Sequence, residues 1–261
     1  MEVKVLIRGA GDIASGIALR LFHAGMNVIM LETEHPTTIR RTVAFSEAVT
    51  EKTCTVEDVT AVRAETVEEA EEIVRSGRIA VIIDPECSLL DRIAPDVLVD
   101  AILAKRNLGT RIKDAGVVIG VGPGFTAGTD CHAVIETMRG HTLGRAYYKG
   151  SALPNTDIPG LIGGYAGERV LRAPADGVFK SIRKIGDIVS EGETVGTVDE
   201  VPMKATISGV LRGLLSDGIT VKKGMKSGDV DPRGEKEYVR QVSDKALSVA
   251  GGVLEAILHL L

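Results

Sequence analysis

The sequence is poor in cysteine, with three in 261 residues. Cys54, Cys87 and Cys131 show neither the paired spacing of a disulfide framework nor the spacing of a zinc site. Their distribution is typical of a protein from a reducing compartment. We therefore expect a cytoplasmic protein without disulfides and without a bound metal ion.

Long basic runs and long apolar runs are also absent. The net charge is −5, and no Lys/Arg run offsets it, which argues against binding to a nucleic-acid backbone. The apolar stretch near the N-terminus is interrupted by Arg8, Asp12 and Arg20, and the one at the C-terminus by Glu255 and His259. Neither stretch has the pattern of a signal peptide or a membrane span. We expect a soluble protein with no nucleic-acid partner and no membrane partner.

The chain does contain ample apolar sequence for two domains, since 44% of its residues are hydrophobic. In the first half, short strand-like runs alternate with helical patterns such as residues 13–21 and 67–75. The later runs, bounded by proline or glycine, are typical of strands buried on both faces: 80–83, 97–102 and 117–121. Residues 1–150 therefore predict an α/β, Rossmann-like domain with a mostly parallel, doubly wound sheet.

The first strand-like run ends in a glycine turn, Gly9-x-Gly11-x-x-Ala14, and a helical pattern begins there with Asp12. Gly9 permits the tight turn, Gly11 lets the backbone approach a pyrophosphate, and Ala14 is small enough for the helix to lie on the strand. Glu32 ends the second strand about 20 residues further on, where an acid would hold a ribose hydroxyl. The pattern predicts a dinucleotide site; the alternative is a nucleotide-shaped fold that binds no nucleotide.

Two adjacent arginines, Arg40 and Arg41, follow Glu32. Guanidinium forks suit phosphate groups. The pair is therefore a candidate for binding a 2′-phosphate or the charged group of a larger nucleotide-like cofactor. The alternative is a solvated first turn of a helix.

A second glycine loop lies within residues 117–137 and contains Gly122 and Gly124. Such a loop can turn several amides toward one anion or let a flat ring approach the backbone. Ligands of open α/β sheets collect beyond the carboxyl ends of the strands, so we expect this loop to face the same cleft as the first turn.

Asp130 and Cys131, which follow the second loop, are candidates for contact with the cofactor and for catalysis. Cys131 is either a reactive thiol or a buried small apolar residue. If a strand begins at Asp130, Cys131 cannot pair with His132, because neighbouring side chains of a strand point to opposite faces.

The second half contains an internal repeat at an offset of 32 residues, in which residues 177–192 match residues 209–224 without a gap. Two such copies predict two interlocked sets of short strands related by a pseudo-twofold, because each copy is too small to bury its apolar face alone. The module, residues 169–232, resembles the biotinyl/lipoyl barrel-sandwich fold, whose family carries its cofactor on a lysine. Lys204 is the candidate here, but it aligns with Arg172 of the first copy inside a strand. We expect no covalent biotin or lipoate.

Two segments flank this module. Residues 151–168 are dense in glycine and proline and predict a linker or a covering loop. In residues 233–261, apolar residues recur every three or four positions from Val239 and Val242 onward, which predicts a long C-terminal helix. Gly251 and Gly252 within it predict a close backbone approach to another element. This helix packs either on its own sheet or across a homodimer.

Several strings of the sequence resemble YqeB-type proteins of the selenium-dependent molybdenum hydroxylase system. They include R-G-A-G-D-I-A-S-G, R-R-T-V-A-F-S-E-A-V, V-D-A-I-L-A-K-R-N-L-G-T, G-V-G-P-G-F-T-A-G-T-D-C-H-A-V-I-E-T-M-R-G-H and E-R-V-L-R-A-P-A-D-G. The resemblance implies an accessory protein that matures a molybdenum hydroxylase. It also implies that the pterin cofactor is the ligand and that the client hydroxylase, or its cofactor, is the partner.

The alternative function is that of an NAD(P)-dependent oxidoreductase. Such an enzyme needs a proton-transfer residue, such as the tyrosine of a Tyr-x-x-x-Lys motif or a His–Asp pair. The chain has four tyrosines, and Tyr147-Tyr148-Lys149 lacks the required spacing. A maturation role, with molybdopterin dinucleotide or an NAD(P)-like nucleotide as the bound cofactor, is therefore the favoured hypothesis.

Overall fold

The computed structural model describes residues 3–156 and 160–261, and these divide into two compact units. The first unit contains residues 3–36, 44–156 and 242–261, and the second contains residues 37–43 and 160–241. Residues 157–159 of the predicted linker lie outside the described residues. No helix within the described ranges is long and apolar enough to cross a membrane.

The first unit is built on one large, mostly parallel sheet. Its strands are β1 Lys4–Arg8, β2 Asn27–Glu32, β3 Thr53–Val56, β4 Val59–Ala64, β5 Ile79–Ile83, β6 Val97–Asp100, β7 Val117–Val121, β8 Ala133–Ile135 and β9 Ala146–Tyr147. They lie in the order β3-β4-β5-β2-β1-β6-β7-β8-β9, and only the edge strands β3 and β9 pair antiparallel. The chain passes from β1 to β2, crosses to the edge strand β3, returns inward through β4 and β5, and then places β6 on the other side of β1. The strand order therefore reverses between β1 and β6, where open α/β sheets bind their ligands.

The central strands have the burial that their sequences predict. Val5, Leu6 and Ile7 of β1 are 0% exposed, and every residue of β6 and β7 is buried. The mostly parallel sheet predicted for the first half is thus confirmed. The predicted strand 97–102 is too long, because β6 ends at Asp100. The carboxylate Oδ1 of Asp100 accepts a hydrogen bond from the backbone N–H of Ile102 at 3.3 Å, which turns the chain out of the sheet.

Five helices accompany this sheet in the described residues. They are α1 Asp12–His23, α2 Glu47–Glu51, α3 Val67–Arg75, α4 Leu90–Ile93 and α5 Asp244–Leu260. The predicted helix 67–75 is confirmed as α3. The C-terminal helix is shorter than its apolar periodicity predicts, because Ser243 caps α5 by accepting a hydrogen bond from the Ala246 N–H at 3.2 Å. Val239 and Val242 lie before the helix.

Helix α5 packs on its own unit through small residues. A Cβ at Gly16 of α1 would lie 2.7 Å from the Ala246 Cβ, so the two helices cross closely. A Cβ at Gly252 would collide with the carbonyl oxygen of Gly144, whereas one at Gly251 would meet open space. The close approach predicted from the glycine pair is therefore made by Gly252 alone.

The second unit contains two separate four-stranded sheets. Its strands are β10 Val170–Arg172, β11 Gly177–Ser181, β12 Ile188–Val189, β13 Thr194–Val198, β14 Val201–Lys204, β15 Gly209–Leu214, β16 Thr220–Val221 and β17 Lys226–Asp231. The sheet orders are β10-β17-β15-β12 and β14-β13-β11-β16. Each sheet has two edge strands, so the described residues of this unit form open sheets and no closed barrel.

The two copies of the repeat exchange strands between these sheets. A shift of 32 residues converts β10 to β13 into β14 to β17, and it converts one sheet order into the other. The register follows the same symmetry, since Gly177 lies opposite Val221 and Gly209 lies opposite Val189. Phe179 from the first copy and Leu211 from the second are both 0% exposed in one shared core. Neither copy could bury that core alone.

The symmetry fails at a buried ion network that occurs in only one of the two sheets. Asp229 Oδ1 lies 3.2 Å from Arg169 Nη1, and its Oδ2 accepts a hydrogen bond from Arg212 Nε at 2.7 Å. Arg233 Nε donates to Asp231 Oδ1 at 2.9 Å. Burial raises the pKa of Asp231, but the hydrogen bonds from Arg233 and the nearby positive charges outweigh it and hold the pKa below its usual range. Asp231 thus stabilises the fold above pH of about 4, and this contribution is lost as the pH falls through its folded pKa.

Replacing Asp229 by Asn tests the energetic weight of this network. The amide keeps the size of the side chain but leaves Arg169 and Arg212 facing a neutral group. We therefore expect the free energy of opening of strands β15 and β17 to fall by about 3 kcal/mol. Native-state hydrogen exchange of the β15 and β17 amides measures it. Thr197→Asn, at the repeat-related position of the other sheet, should change the same quantity by less than about 1 kcal/mol. Equal effects of the two substitutions would contradict the assigned role of the network.

Candidate functional site

The glycine turn after β1 lies at the carboxyl ends of the strands, at the position where the strand order reverses. Gly9 has φ +95°, a conformation that favours glycine, and its N–H donates to the carbonyl of Leu31 at 2.8 Å. The carbonyl of Ala10 accepts hydrogen bonds from Ser15 Oγ at 3.0 Å and from the Ser46 N–H at 2.9 Å. The turn is therefore rigid, and it holds the first turn of α1 directly beyond β1.

Helix α1 begins at this turn. Gly11 suits the approach of an anion, whereas the negative charge of Asp12 does not. Its N-cap is Gly11, which has no side chain to cap the first backbone N–H groups, and Asp12 opens the helix. Asp12 Oδ1 accepts a hydrogen bond from the Ile13 N–H at 3.0 Å. Ala14 is 0% exposed, as expected for the small residue that lets the helix lie on the sheet. The positive end of the helix dipole points to the carboxyl edge of β1, and Asp12 opposes part of that charge.

Glu32 lies beside the same turn. Its Oε2 accepts a hydrogen bond from the Ala10 N–H at 2.8 Å, and its Oε1 accepts one from the Thr33 N–H at 2.8 Å. Each carboxylate oxygen has two lone pairs, so both can accept one further hydrogen bond. The structure brings Gly9, Gly11 and Glu32 together, and Glu32 is positioned by the backbone of the turn itself.

Arg40 and Arg41 belong to the second unit. Arg40 Nη2 donates to the carbonyls of Tyr238 at 3.1 Å and Gln241 at 3.0 Å, and Arg41 Nε donates to the carbonyl of Leu214 at 2.9 Å. Arg40 is 5% exposed, so it does not lie on a solvated helical turn. Their contact with a phosphate stays a prediction.

The second glycine loop leaves the carboxyl end of β7 and is packed by protein atoms. Gly122 and Gly124 have φ +83° and +110°. A Cβ at Gly122 would lie 3.0 Å from Thr137 Oγ1, and one at Gly124 would lie 2.6 Å from the Arg106 Cα. Internal packing therefore requires glycine at both positions, whatever ligand the loop contacts.

Three residues that follow this loop have different contacts: Asp130, Cys131 and His132. Asp130 Oδ2 accepts a hydrogen bond from the Thr126 N–H at 2.8 Å. Cys131 is 0% exposed and packs with Phe125 in the core of the sheet. His132 Nδ1 accepts a hydrogen bond from the Val118 N–H at 2.9 Å, which orients its ring toward β7. Burial raises the pKa of the Cys131 thiol to about 11, which favours the inert, buried interpretation of this cysteine.

A buried ion pair at the strand ends was missed by the sequence analysis. Arg8, the last residue of β1, and Asp100, the last residue of β6, are 5% and 2% exposed. Arg8 Nη1 lies 3.3 Å from Asp100 Oδ2 and 2.6 Å from Thr110 Oγ1, which in turn donates to Asp100 Oδ2 at 2.6 Å. The available signal was a charged residue directly after an apolar run in each strand, because parallel strands end at one edge of a sheet.

Two further observations concern possible ligand and metal sites. A groove of about 280 Å³ is lined by Leu90, Asp91, Arg111, Lys113 and Asp114, none of which the sequence analysis singled out. Within residues 3–156 and 160–261, no group of three or more His, Cys, Asp or Glu side chains is arranged to hold a metal ion.

Alkylation measures the chemical state of Cys131. With a pKa of about 11, only about one thiol in a thousand is ionised at pH 8, and burial further blocks access. We expect iodoacetamide to leave Cys131 unmodified in the native protein and to modify it in guanidinium chloride, as followed by peptide mass spectrometry. Cys131→Ser serves as the assignment control. Native labelling of Cys131 as fast as a free thiol would restore its candidacy as a reactive group.

Fold and edge geometry together define a mixed α/β protein whose glycine turn lies at the carboxyl ends of a mostly parallel sheet. No protein-family model matches the chain. It is 56% identical over 257 residues to the uncharacterized protein YqeB of Escherichia coli (strain K12), which supports the resemblance to YqeB-type proteins. The match covers 98% of this chain and 48% of that protein, so the chain spans about half the length of the curated relative it matches.

Solved structures give only remote similarity. An aspartoacylase family protein from Mesorhizobium loti MAFF303099 is 12% identical, with 88% of this chain and 85% of that chain covered and a TM-score of 0.26. The ectoine utilization protein EutE (DoeB) from Ruegeria pomeroyi is 11% identical, with 89% and 86% covered and a TM-score of 0.26. Scores this low carry no argument about fold or function.

Proposed function

We propose that this chain is an accessory protein for the maturation of a selenium-dependent molybdenum hydroxylase, and that it binds the nucleotide part of a cofactor beyond β1. The cofactor is molybdopterin dinucleotide or an NAD(P)-like nucleotide. The observation that carries the proposal is the rigid turn at Gly9–Gly11, with the N-terminus of α1 and the carboxylate of Glu32 beside it. The similarity to YqeB over 98% of the chain supports the resemblance to YqeB-type proteins, and the hydroxylase role is what that resemblance implies.

The residues of the Rossmann-like first unit fit a nucleotide in two respects. Gly11 precedes α1 without a capping side chain, so a pyrophosphate can approach the N-terminus of a 12-residue helix, where Asp12 Oδ1 would share the Ile13 N–H with it. Glu32 has remaining acceptor capacity for a ribose hydroxyl at the end of β2. The molybdenum of the cofactor is cargo in this scheme, held by the pterin. The chain's own residues bind and orient the nucleotide.

We propose further that the second unit is an unmodified barrel-sandwich module that contacts the client hydroxylase or a second copy of the chain. Its two open sheets share one core and exchange strands as the repeat requires. The hairpin between the copies, from β13 to β14, turns at Asp199 and Glu200 and has no lysine at its tip. Lys204 ends β14 opposite Thr194, away from the tip, so we expect it to carry neither biotin nor lipoate.

An NAD(P)-dependent oxidoreductase is the weaker alternative. The ring of Tyr148 lies 4.5 Å from the ring of His259 at a tilt of 46°, and burial together with Glu255 raises the pKa of Tyr148, which is unfavourable for a tyrosine that must transfer a proton. His23 lies 3.1 Å from Asp58, but His23 ends α1, at the edge of the sheet opposite to the glycine turn. Neither group is positioned for hydride chemistry at that turn.

Gly11→Val tests the nucleotide site. Gly11 has φ −67° and ψ −178°, a backbone conformation that valine also adopts, and the substitution places a branched side chain where a pyrophosphate would approach. We expect calorimetric affinity for ADP, CDP or NAD⁺, whichever binds the wild type, to fall at least about tenfold. Hydroxylase maturation in cells that carry the variant should fall with it.

Gly251→Ala is the matched control, because a Cβ there meets open space inside α5. It should leave binding unchanged and stabilise the helix by up to about 1 kcal/mol. Equal affinity of the wild type and the Gly11→Val variant for the same nucleotide would contradict the site.

A further inference from the structure

The segment that follows β6, residues 101–110, lies across the glycine positions of the candidate site. It approaches three glycines so closely that a side chain at any of them would meet its atoms. The distances from a Cβ built on each glycine are 3.1 Å from Gly9 to Ala101 O, 3.3 Å from Gly122 to Leu103 Cδ2 and 2.6 Å from Gly124 to Arg106 Cα. In this conformation the segment occupies the space in which a ligand would contact these glycines.

The backbone of this segment is strained at its centre. Leu103 and Lys105 have φ +61° and +62°, a left-handed conformation that is unfavourable for side chains other than glycine. Such residues persist only where surrounding structure holds them, and they occur preferentially at segments that switch. The strain therefore favours release of the segment once its contacts are given up.

Both ends of the segment are fixed. At its start, Asp100 belongs to β6 and pairs with Arg8. At its end, the Thr110 hydroxyl bridges these two side chains, and Arg8 Nη2 lies 3.4 Å from the carbonyl of Leu108. Between these contacts, Asn107 Oδ1 accepts hydrogen bonds from the Gly109 N–H at 2.9 Å and the Thr110 N–H at 2.8 Å, so the turn at Gly109, with φ +98°, is also held in place. The segment thus has anchored ends and a strained middle.

The middle of the segment is also exposed and positively charged. Lys105 and Arg106 are adjacent and both are exposed. They lie over the Gly124 end of the second glycine loop, since Arg106 Cα is the nearest protein atom to a Cβ at Gly124. Cations on a movable segment beside a pyrophosphate-type turn favour an anionic ligand.

We propose that residues 101–110 form a strap anchored at both ends, whose middle leaves the glycine turns when a nucleoside diphosphate group enters and then contacts its phosphates through Lys105 and Arg106. This inference rests on the proposed nucleotide site, and it adds the moving element and the residues that recognise the phosphates. The bond network of Arg8, Asp100 and Thr110 holds the base of the strap in both conformations.

Limited digestion with trypsin reports on the strap, because Lys105 and Arg106 are themselves trypsin sites. We expect saturating ADP or CDP to slow cleavage after these two residues at least fivefold, since bound phosphates occupy the charges that trypsin must reach. Adenosine and cytidine, which lack phosphates, should have no effect. Cleavage after Arg78, an exposed site elsewhere in the first unit, is the internal reference.

Gly109→Ala tests the anchor at the end of the strap. Alanine at φ +98° disfavours the turn that Asn107 holds, so cleavage after Lys105 and Arg106 without ligand should become about fivefold faster. Gly25→Ala is the matched control, because Gly25 has φ +81° and open space but lies at the far end of α1. It should leave these cleavage rates unchanged.

The outcomes separate the strap from the nucleotide site. Calorimetric binding of ADP or CDP without protection of Lys105 and Arg106 would overturn the strap and leave the site standing. Absence of binding by either nucleotide would overturn the proposed site and the strap together. Equal cleavage rates for the Gly109→Ala and Gly25→Ala variants would overturn the role of the anchored end, and a Lys105→Ala/Arg106→Ala variant with unchanged ADP affinity would overturn the phosphate contact.

Discussion

The buried pairing of Arg8 with Asp100 is the constraint on which the candidate site depends. It joins the last residues of β1 and β6, the two strands between which the order of the sheet reverses. Both side chains are nearly inaccessible, and loss of one partner would leave an uncompensated buried charge, at a cost of about 3–5 kcal/mol. With Thr110 bridging them, the pair fixes where the turn after β1 and the segment after β6 leave the sheet. The spacing of the glycine turns follows from that arrangement.

Glycine has two separate functions at this edge. At Gly9, Gly122 and Gly124, positive φ values and close contacts with residues 101–106 require the absence of a side chain. At Gly11 the backbone is extended, a conformation that does not itself require glycine. The requirement for glycine there comes instead from the proposed approach of a pyrophosphate to the first turn of α1. This difference makes Gly11 the position at which a substitution separates ligand binding from folding.

The first unit follows from local sequence more fully than the site does. Buried parallel strands read as continuous apolar runs, so the limits of β7 and α3 could be predicted from pattern alone. The hairpin of β3 and β4 was missed because half-buried strands with charged neighbours give a weak signal. The start of α5 was misplaced, although Ser243 before Asp244 carries a helix-cap signature. In the second unit, the repeat predicted the strand exchange, because strands that lie 32 residues apart in the sequence occupy equivalent positions in the two sheets.

The site depends on contacts that no local pattern contains. Arg8 and Asp100 are 92 residues apart in the chain, and the packing of the segment after β6 on Gly124 is set by tertiary structure. The motif around Gly9 and Glu32 placed the turn and the acid correctly, since both follow from the strand–helix–strand unit. Sequence could therefore locate the glycine turn but not the chain segment that packs beside it.

The central claim is that a nucleotide-bearing cofactor binds beyond β1. Native mass spectrometry of this protein, purified from a host that makes molybdopterin dinucleotide, tests it most directly. The account predicts a bound species with the mass of a nucleotide-bearing cofactor, present on the wild-type chain and lost from the Gly11→Val variant. A wild-type chain that carries no such mass while the host's hydroxylases are loaded, or a variant that retains it, would contradict the account.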